Sequence, residues 1–225
     1  MKETRMINKV INATKWSTIT QIATKLITPV TNMILARILA PDAFGVIATV
    51  TMIISLAEIF TDSGFQNYLV QREFKNEEEQ KKNANVAFWS NFTVAFFFWL
   101  LIWGFNDKIA ELVGNPDLGI VITIASIQLP LSSFSSIQMA LYRRNFDFKT
   151  LFRVRVVGAI IPFIITIPLA LIGFDYWSLV IGMICMQLFN AIYLTCKSSW
   201  KPTLFYDFKI LKKMFSFSIW SLVES

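Results

Sequence analysis

An all-α membrane protein is the fold class that this 225-residue sequence predicts. Hydrophobic residues make up 55% of the chain and charged residues only 16%, whereas about 25% of the residues in an average soluble domain are charged. Six apolar segments reach the length of about 20 residues that a membrane-spanning helix needs. Most lysines and arginines fall in the connections between these segments, a pattern typical of membrane proteins.

The apolar segments predict a six-helix transmembrane lobe followed by the start of a seventh span. The six spans are expected at about residues 10–36, 43–63, 84–104, 118–141, 156–174 and 176–196. A seventh apolar segment begins near Met214, and Lys213–Ser221 resembles Lys9–Ser17 at its Lys, Trp and Ser positions. Because an even number of spans gives repeated units the same orientation, we expect residues 1–213 to form the first lobe of a two-lobe carrier. Residues 214–225 would begin the second lobe, and the chain would be the first half of a larger protein.

The basic residues predict the orientation of these spans. Seventeen of the 21 Lys and Arg residues lie before the first span or in the second, fourth and sixth connections, and the opposite connections hold only Arg37 and Lys108. Because loops rich in Lys and Arg stay in the cytoplasm, we expect a multi-pass protein with a cytoplasmic N-terminus. The net charge of +6 is spread over these connections, so it does not indicate a nucleic-acid partner.

A polar stripe runs along the first span. Six polar residues recur there at alternating spacings of four and three: Thr14, Thr18, Gln21, Lys25, Thr28 and Asn32. On a helix this spacing places them on one face. A lysine at bilayer depth costs about 2.5–3.5 kcal/mol even on insertion scales, and it therefore usually faces a bundle interior or a watery cavity. We interpret the stripe as the wall of a solute pathway; a helix-packing seam joined by Thr and Asn is the alternative.

The second span carries a shorter polar stripe of its own, formed by Thr51, Ser55, Glu58 and Asp62. Lys25 is expected near the membrane midplane and Glu58 about one turn nearer the cytoplasm. The two stripes would then compensate each other's charge across one cavity. Glu58 and Asp62 are thus candidates for ion coupling or for an ion pair, although Asp62 would equally suit a cap at the end of its span.

The sequence does not favour an enzyme. It holds no histidine, and its two cysteines, Cys185 and Cys196, share one apolar segment. On one helix they would be roughly 16 Å apart, too far for a disulfide. A membrane-embedded transferase would need an acidic metal-binding cluster or a catalytic histidine, and neither is present. We therefore expect no catalytic residues, no metal site and no cofactor.

Three stretches of sequence resemble polysaccharide transporters of the oligosaccharide-flippase type. They are residues 35–45 (LARILAPDAFG), residues 69–74 (LVQREF) with 85–91 (NVAFWSN), and residues 143–149 (RRNFDFK). Through them nearly the whole chain is similar to the N-terminal half of members of the multidrug/oligosaccharidyl-lipid/polysaccharide exporter superfamily.

The resemblance implies two six-helix lobes around a central cavity that opens alternately to the two membrane faces. It also implies a flippase that moves undecaprenyl-pyrophosphate-linked oligosaccharide units across the bacterial cytoplasmic (inner) membrane for lipopolysaccharide or exopolysaccharide biosynthesis. The expected partners are the lipid-linked oligosaccharide and membrane lipids, together with a polysaccharide polymerase and glycosyltransferases.

Within that picture, cationic groups would bind diphosphate or acidic sugars as point charges. Lys15, Lys25 and Arg37 are the candidate cations, and Gln21 and Asn32 complete the candidate substrate-binding set. Residues 142–149 interleave basic and aromatic side chains. They would serve either for attachment to anionic lipid or for contact with a lipid-linked phosphate.

Two other functions stay open from the sequence. A drug or cation antiporter of the same superfamily would be expected to line its cavity with carboxylates, whereas the first stripe here carries Lys25. A truncated fragment that transports nothing is the second alternative.

Overall fold

Every regular element in the described part of the chain is helical, which confirms the all-α prediction. The computed structural model describes residues 2–61 and 64–223. Its helices are α1 (Lys2–Ile38), α2 (Pro41–Thr61), α3 (Phe65–Gln71), α4 (Glu77–Gly104), α5 (Asn106–Leu112), α6 (Gly119–Ala125), α7 (Gln128–Arg144), α8 (Phe148–Leu171), α9 (Asp175–Lys197) and α10 (Phe208–Val223), with a short 3-10 turn at Pro116–Leu118 before α6.

Five helical segments among the described residues are long and apolar enough to cross a membrane. They are α2, α4, the segment Pro116–Arg144, α8 and α9. A first span is not confirmed, because the Thr, Gln, Asn and Lys residues of the stripe lower the hydropathy of α1. A seventh span is not confirmed either, since the described part of α10 is 16 residues long. Five of the segments that the sequence predicts are therefore candidate membrane spans by length and composition.

The predicted fourth span is broken near its middle, between α6 and α7. The backbone N–H of Ile127 bonds to Ile124 and that of Leu129 to Ser126, so the regular helical partners of Thr123 and Ala125 are lost. The Ser126 hydroxyl donates to the Thr123 carbonyl over 2.8 Å, and the Gln128 amide donates to the Ala125 carbonyl over 3.0 Å. Side chains of the same segment thus satisfy the carbonyls that the break exposes. Pro130 follows in the first turn of α7, where its missing N–H is tolerated.

A small apolar core of Leu35, Leu39, Ala43 and Ala170 lies where the end of α1, the start of α2 and the end of α8 meet, and two larger cores hold the rest of the bundle together. One joins α2, the second half of α4, α6 and α9 around Val50, Ile54 and Ile122. The other joins α3, the first half of α4, the end of α7 and α10 around Phe65, Phe88 and Met214. We call the end of the bundle that holds the second core, where α4 begins and α7 and α9 end, the basic end, because it carries the basic connections that the sequence predicts to be cytoplasmic.

α1, α8 and α9 form the remaining layer. α1 packs mainly along α8, where the Trp16 and Phe152 rings lie 5.0 Å apart between centroids. α8 and α9 cross closely at Gly182: a Cβ added there would lie 2.1 Å from the Thr166 hydroxyl oxygen. With Thr166 in place, an alanine here would overlap its hydroxyl, so the glycine lets α8 and α9 approach closely.

Candidate functional site

A cavity of about 640 Å³ lies between α1, α2, α7, α8 and α9. Its volume falls within the range of about 300–1,000 Å³ that is typical of ligand pockets. Polar residues from four of these helices line it: Thr24, Thr28, Thr31 and Asn32 of α1, Thr51 of α2, Arg155 and Thr166 of α8, and Asn190 of α9. We call it the central cavity.

The stripe on α1 supplies one wall of the central cavity. Thr28 and Asn32 belong to the predicted stripe and line the cavity. Thr51 belongs to the second stripe and lines the cavity from α2. Thr24 and Thr31, which lie outside the stripe, also line the cavity, but their hydroxyls donate to carbonyls of their own helix. Thr28, Asn32 and Thr51 are therefore the stripe residues that the fold brings together.

The other candidate residues of α1 lie outside the cavity lining. Lys25 and Gln21 continue the face of Thr28 and Asn32 toward the start of the helix, and both are exposed. Lys15 is exposed beside the Trp16–Phe152 contact, and Arg37 is exposed in the last turn of α1. The cavity thus meets the stripe toward the C-terminal end of α1, while the lysines lie toward its N-terminal end.

Glu58 is the acidic candidate of the second stripe that the structure describes, and it does not line the cavity. Glu58 is exposed on α2, about two turns beyond Thr51. α2 packs chiefly against α4 and α9, whereas α1 packs against α8, so the two striped helices are held by different neighbours. Asp62 lies outside the described residues.

Arg155 is a cavity residue that the sequence reasoning missed, because it was counted with the basic residues of the fourth connection. α8 begins earlier than predicted: Asp147 accepts from the Thr150 backbone N–H over 3.1 Å and from its hydroxyl over 2.7 Å. The spacing of Asp147 and Thr150 is the signal of a helix start that would have placed Arg155 two turns inside α8. Arg153 is also exposed but does not line the cavity.

Asn190 gives the cavity an unsatisfied polar group. Its side-chain oxygen is buried and accepts no hydrogen bond from the described residues. A Cβ at Gly158 would lie 3.1 Å from that oxygen, so the glycine leaves the room in which it sits. A buried acceptor without a partner costs free energy unless a ligand or an ordered water supplies a donor.

The electrostatics of the lining favour an anionic, hydroxyl-rich ligand. Among the described residues that line the cavity, Arg155 is the charged side chain and no carboxylate is present. A guanidinium presents a planar fork of donors that matches phosphate and carboxylate groups. The amides of Asn32 and Asn190 both donate and accept hydrogen bonds, as recognition of sugar hydroxyls requires.

Two of the three stretches that carry the family resemblance meet at the basic end. The Arg144 guanidinium donates to the carbonyls of Leu69 (3.0 Å), Val70 (3.2 Å) and Arg72, and its carbon lies 4.6 Å from the centroid of the Phe74 ring. A cation at the end of α3 satisfies carbonyls that the helix itself leaves open. Arg144 therefore joins α7 to the segment after α3, and its contacts are with protein groups.

Tyr68 extends this network toward α4. Its hydroxyl donates to the Asn83 side-chain oxygen over 3.1 Å and accepts from Arg72, which also lies 3.9 Å from Glu79. Burial raises the pKa of Tyr68, and the neighbouring Arg72 partly opposes this effect. The residues 69–74 that resemble the transporter family thus connect α3, α4 and α7 at one end of the bundle.

Comparison with known proteins agrees with this architecture. Residues 34–225 match the family described as polysaccharide biosynthesis protein. The chain is 25% identical over 203 residues to the succinoglycan biosynthesis transport protein ExoT of Rhizobium meliloti, covering 90% of this chain and 40% of the relative. It is 22% identical over 223 residues to the lipopolysaccharide biosynthesis protein WzxC of Escherichia coli, covering 96% of this chain and 44% of the relative.

The chain therefore spans less than half the length of these curated relatives. No solved structure matches it significantly. The family match covers most of the chain, including the helices α2, α7, α8 and α9 that enclose the central cavity. The protein is a helical membrane protein that belongs to the polysaccharide biosynthesis protein family.

Proposed function

We propose that this chain forms the substrate-binding first lobe of a flippase for polysaccharide precursors. Its substrate would be an oligosaccharide unit linked to undecaprenyl pyrophosphate, which it would move from the inner to the outer leaflet of the bacterial cytoplasmic membrane. The observation that carries the proposal is the central cavity. It combines one guanidinium, two amides and several hydroxyls in one space between the helices.

Each group in the cavity has a role that fits such a substrate. Arg155 would bind the diphosphate or an acidic sugar, since its fork of donors matches phosphate oxygens. Asn32, Thr28 and Asn190 would hydrogen-bond sugar hydroxyls, and the unpartnered oxygen of Asn190 would gain a donor from the substrate. A lining without carboxylates among the described residues makes a carrier of cationic drugs the weaker alternative.

The residues that the sequence proposed remain part of this hypothesis. Gln21 and Lys25 lie on the exposed face of α1 that continues the cavity wall, and Lys15 would lie nearest the cytoplasm. We propose that Lys15 meets the diphosphate first. Gln21 and Lys25 would then bind the substrate together with Arg155, with Arg37 at the outer end. Glu58 and Asp62 are proposed to carry the coupling ion or to pair with these cations.

The proposed orientation places the N-terminus and the basic end in the cytoplasm, because seventeen of 21 basic residues fall on that side. The proposed partners are the lipid-linked oligosaccharide, membrane lipids, and the glycosyltransferases and polymerase that act before and after translocation. Neither a cofactor nor enzymatic activity is part of the proposal.

The test compares two arginines that are two residues apart on α8. Arg155 lines the cavity and Arg153 does not, although both are exposed. In a strain whose own gene is deleted, the full-length protein with Arg155→Ala should lose most surface polymer and accumulate lipid-linked oligosaccharide in the inner leaflet. Arg153→Ala should behave as the unaltered protein.

Immunoblotting should show equal amounts of both variants in the membrane. A difference in surface polymer would then reflect transport and not the amount of protein. Normal polymer with Arg155→Ala would remove the cavity from the mechanism. In the same strain, Lys25→Ala should also reduce surface polymer if the stripe delivers the substrate, and normal polymer levels would exclude Lys25 from that role.

A further inference from the structure

A second pocket lies at the basic end, separate from the central cavity. Its volume is about 400 Å³, and it is formed where α4 begins and where α7 and α9 end. No residue lines both spaces. Its charged and aromatic lining residues are Glu77, Lys81, Tyr142, Lys197 and Trp200. We call it the rim pocket.

The rim pocket carries exposed charges of both signs. The neighbouring ion pairs join Lys82 to Glu78 over 2.7 Å and Arg72 to Glu79 over 3.9 Å. No ion pair within the described residues engages Glu77, Lys81 or Lys197. Two cations and one carboxylate facing one space suit a ligand that itself carries an anion and a cation.

Trp200 adds a donor that needs a partner. Its side chain is only 5% exposed, and its ring contacts Phe88 at 6.1 Å between centroids. Its indole N–H is buried and has no hydrogen-bond partner among the described residues. A buried N–H of this kind is normally satisfied by an acceptor, whether from protein, water or ligand.

The placement of the pocket favours a lipid as the source of that ligand. The sequence predicts the basic end at the cytoplasmic membrane face, where Trp and Tyr side chains typically lie at the level of the headgroups. Ala84 and Leu141 give the pocket an apolar side, which acyl chains would contact. The carbonyl ends of α7 and α9 also border it, and they favour a cation in this space.

We propose that the rim pocket binds the zwitterionic headgroup of an inner-leaflet phospholipid. This headgroup is phosphoethanolamine. Lys81 and Lys197 hold the phosphodiester, Trp200 donates to one of its oxygens, and Glu77 holds the ammonium group. This site is independent of the substrate that the central cavity carries.

The test measures lipid affinity by native mass spectrometry of the full chain in detergent. The probes are dioctanoyl phosphatidylethanolamine, dioctanoyl phosphatidylglycerol and the soluble headgroup glycerophosphoethanolamine. The unaltered protein should bind the ethanolamine lipid more tightly than the glycerol lipid. Lys81→Ala with Lys197→Ala should weaken binding of the ethanolamine lipid by about tenfold or more.

Glu77→Gln is the sharper variant because it keeps the shape of the side chain and removes one charge. It should weaken binding of the ethanolamine lipid while leaving the glycerol lipid bound equally well or better, a reversal that misfolding would not produce. The matched controls are Glu73→Gln and the pair Lys149→Ala with Lys209→Ala, all exposed residues outside the pocket. They should bind as the unaltered protein does.

Three results would overturn the proposal. The first is equal binding of both lipids by every variant, which would indicate only general lipid contact. The second is binding of glycerophosphoethanolamine as tight as that of the lipid, which would make the ligand a soluble phosphate compound. The third is equal weakening of both lipids by Glu77→Gln, which would remove the proposed contact with ammonium.

Discussion

The side-chain amide of Asn85 on α4 pairs with Thr203, 118 positions later in the chain. Its nitrogen donates to the Thr203 hydroxyl over 2.7 Å, and its oxygen accepts from the Thr203 backbone N–H over 3.1 Å. The Trp89 indole N–H donates to the Thr203 carbonyl over 2.8 Å, and Ser90 bonds to Tyr206 over 3.0 Å. One face of α4 therefore holds residues 198–207, the connection between α9 and α10.

Asn85→Ala should release this connection. The substitution removes both hydrogen bonds to Thr203, and the amide hydrogens of Thr203 and Phe205 should then exchange with solvent about tenfold faster or more. Hydrogen exchange read by mass spectrometry measures the effect. The control is Thr93→Ala, at an exposed residue of the same helix, which should leave the exchange rates unchanged. If Asn85→Ala also left them unchanged, Trp89 and Ser90 would hold the connection without Asn85.

Gly182→Ala should destabilise the protein by about 1–3 kcal/mol, because the new Cβ would overlap the Thr166 hydroxyl. The measurement is the free energy of unfolding in detergent. Gly45→Ala, a helical glycine with no atom within 4 Å of its added Cβ, should be neutral or stabilise by up to about 1 kcal/mol.

The double variant Thr166→Ala with Gly182→Ala tests the cause. Without the hydroxyl, the nearest atoms to the new Cβ lie at ordinary contact distance, namely the Thr166 Cβ at 3.5 Å and the Pro162 Cα at 3.6 Å. Most of the lost stability should return. If the double variant were as unstable as Gly182→Ala alone, the overlap with the Thr166 hydroxyl would not be the cause of the lost stability.

Arg144→Ala should cost about 1.5–3 kcal/mol of unfolding free energy, the range expected for hydrogen bonds to a charged group. The carbonyls of Leu69 and Val70 would lose their donor, and the Phe74 ring would lose its cation. Arg144→Lys should recover less than half of this, since an ammonium lacks the planar fork. Lys149→Ala, exposed nearby on α8, serves as the control; if it destabilises as much, the effect is one of net charge.

Tyr68 should make stability depend on alkaline pH. Burial raises its pKa above the ordinary value of 10.0, so the folded state holds the phenolic proton more tightly than the unfolded state does. The stability that neutral Tyr68 contributes is therefore complete below pH 10 and is lost as the pH rises further. The difference in unfolding free energy between the unaltered protein and Tyr68→Phe should be smaller at about pH 11 than at about pH 8. An equal difference at both values would contradict this assignment.

The sequence was sufficient for the class of fold because each span is a local property. Length and hydropathy alone identify α2, α4, α8 and α9, and the 3.6-residue period places Thr28 and Asn32 on one face of α1. The same reasoning did not establish α1 as a span, since the polar residues that suggest a pathway also lower its hydropathy.

The cavity itself was less accessible to sequence reasoning. Arg155 and Asn190 line it because of how α8 and α9 are rotated in the bundle, and this rotation depends on tertiary packing. Arg144 was interpreted as a residue for lipid or phosphate contact, but its partners are carbonyls more than 70 positions away in sequence. Local sequence does not show such long-range partners.

The break between α6 and α7 has a mechanical consequence. Its exposed carbonyls are satisfied by Ser126 and Gln128 of the same segment, so no neighbouring helix has to stay in register to keep them paired. We expect the two halves of this span to behave as short rods joined by a pivot, able to tilt relative to each other without losing those hydrogen bonds. A change in the angle between α6 and α7 would therefore leave the carbonyls at the middle of this span paired.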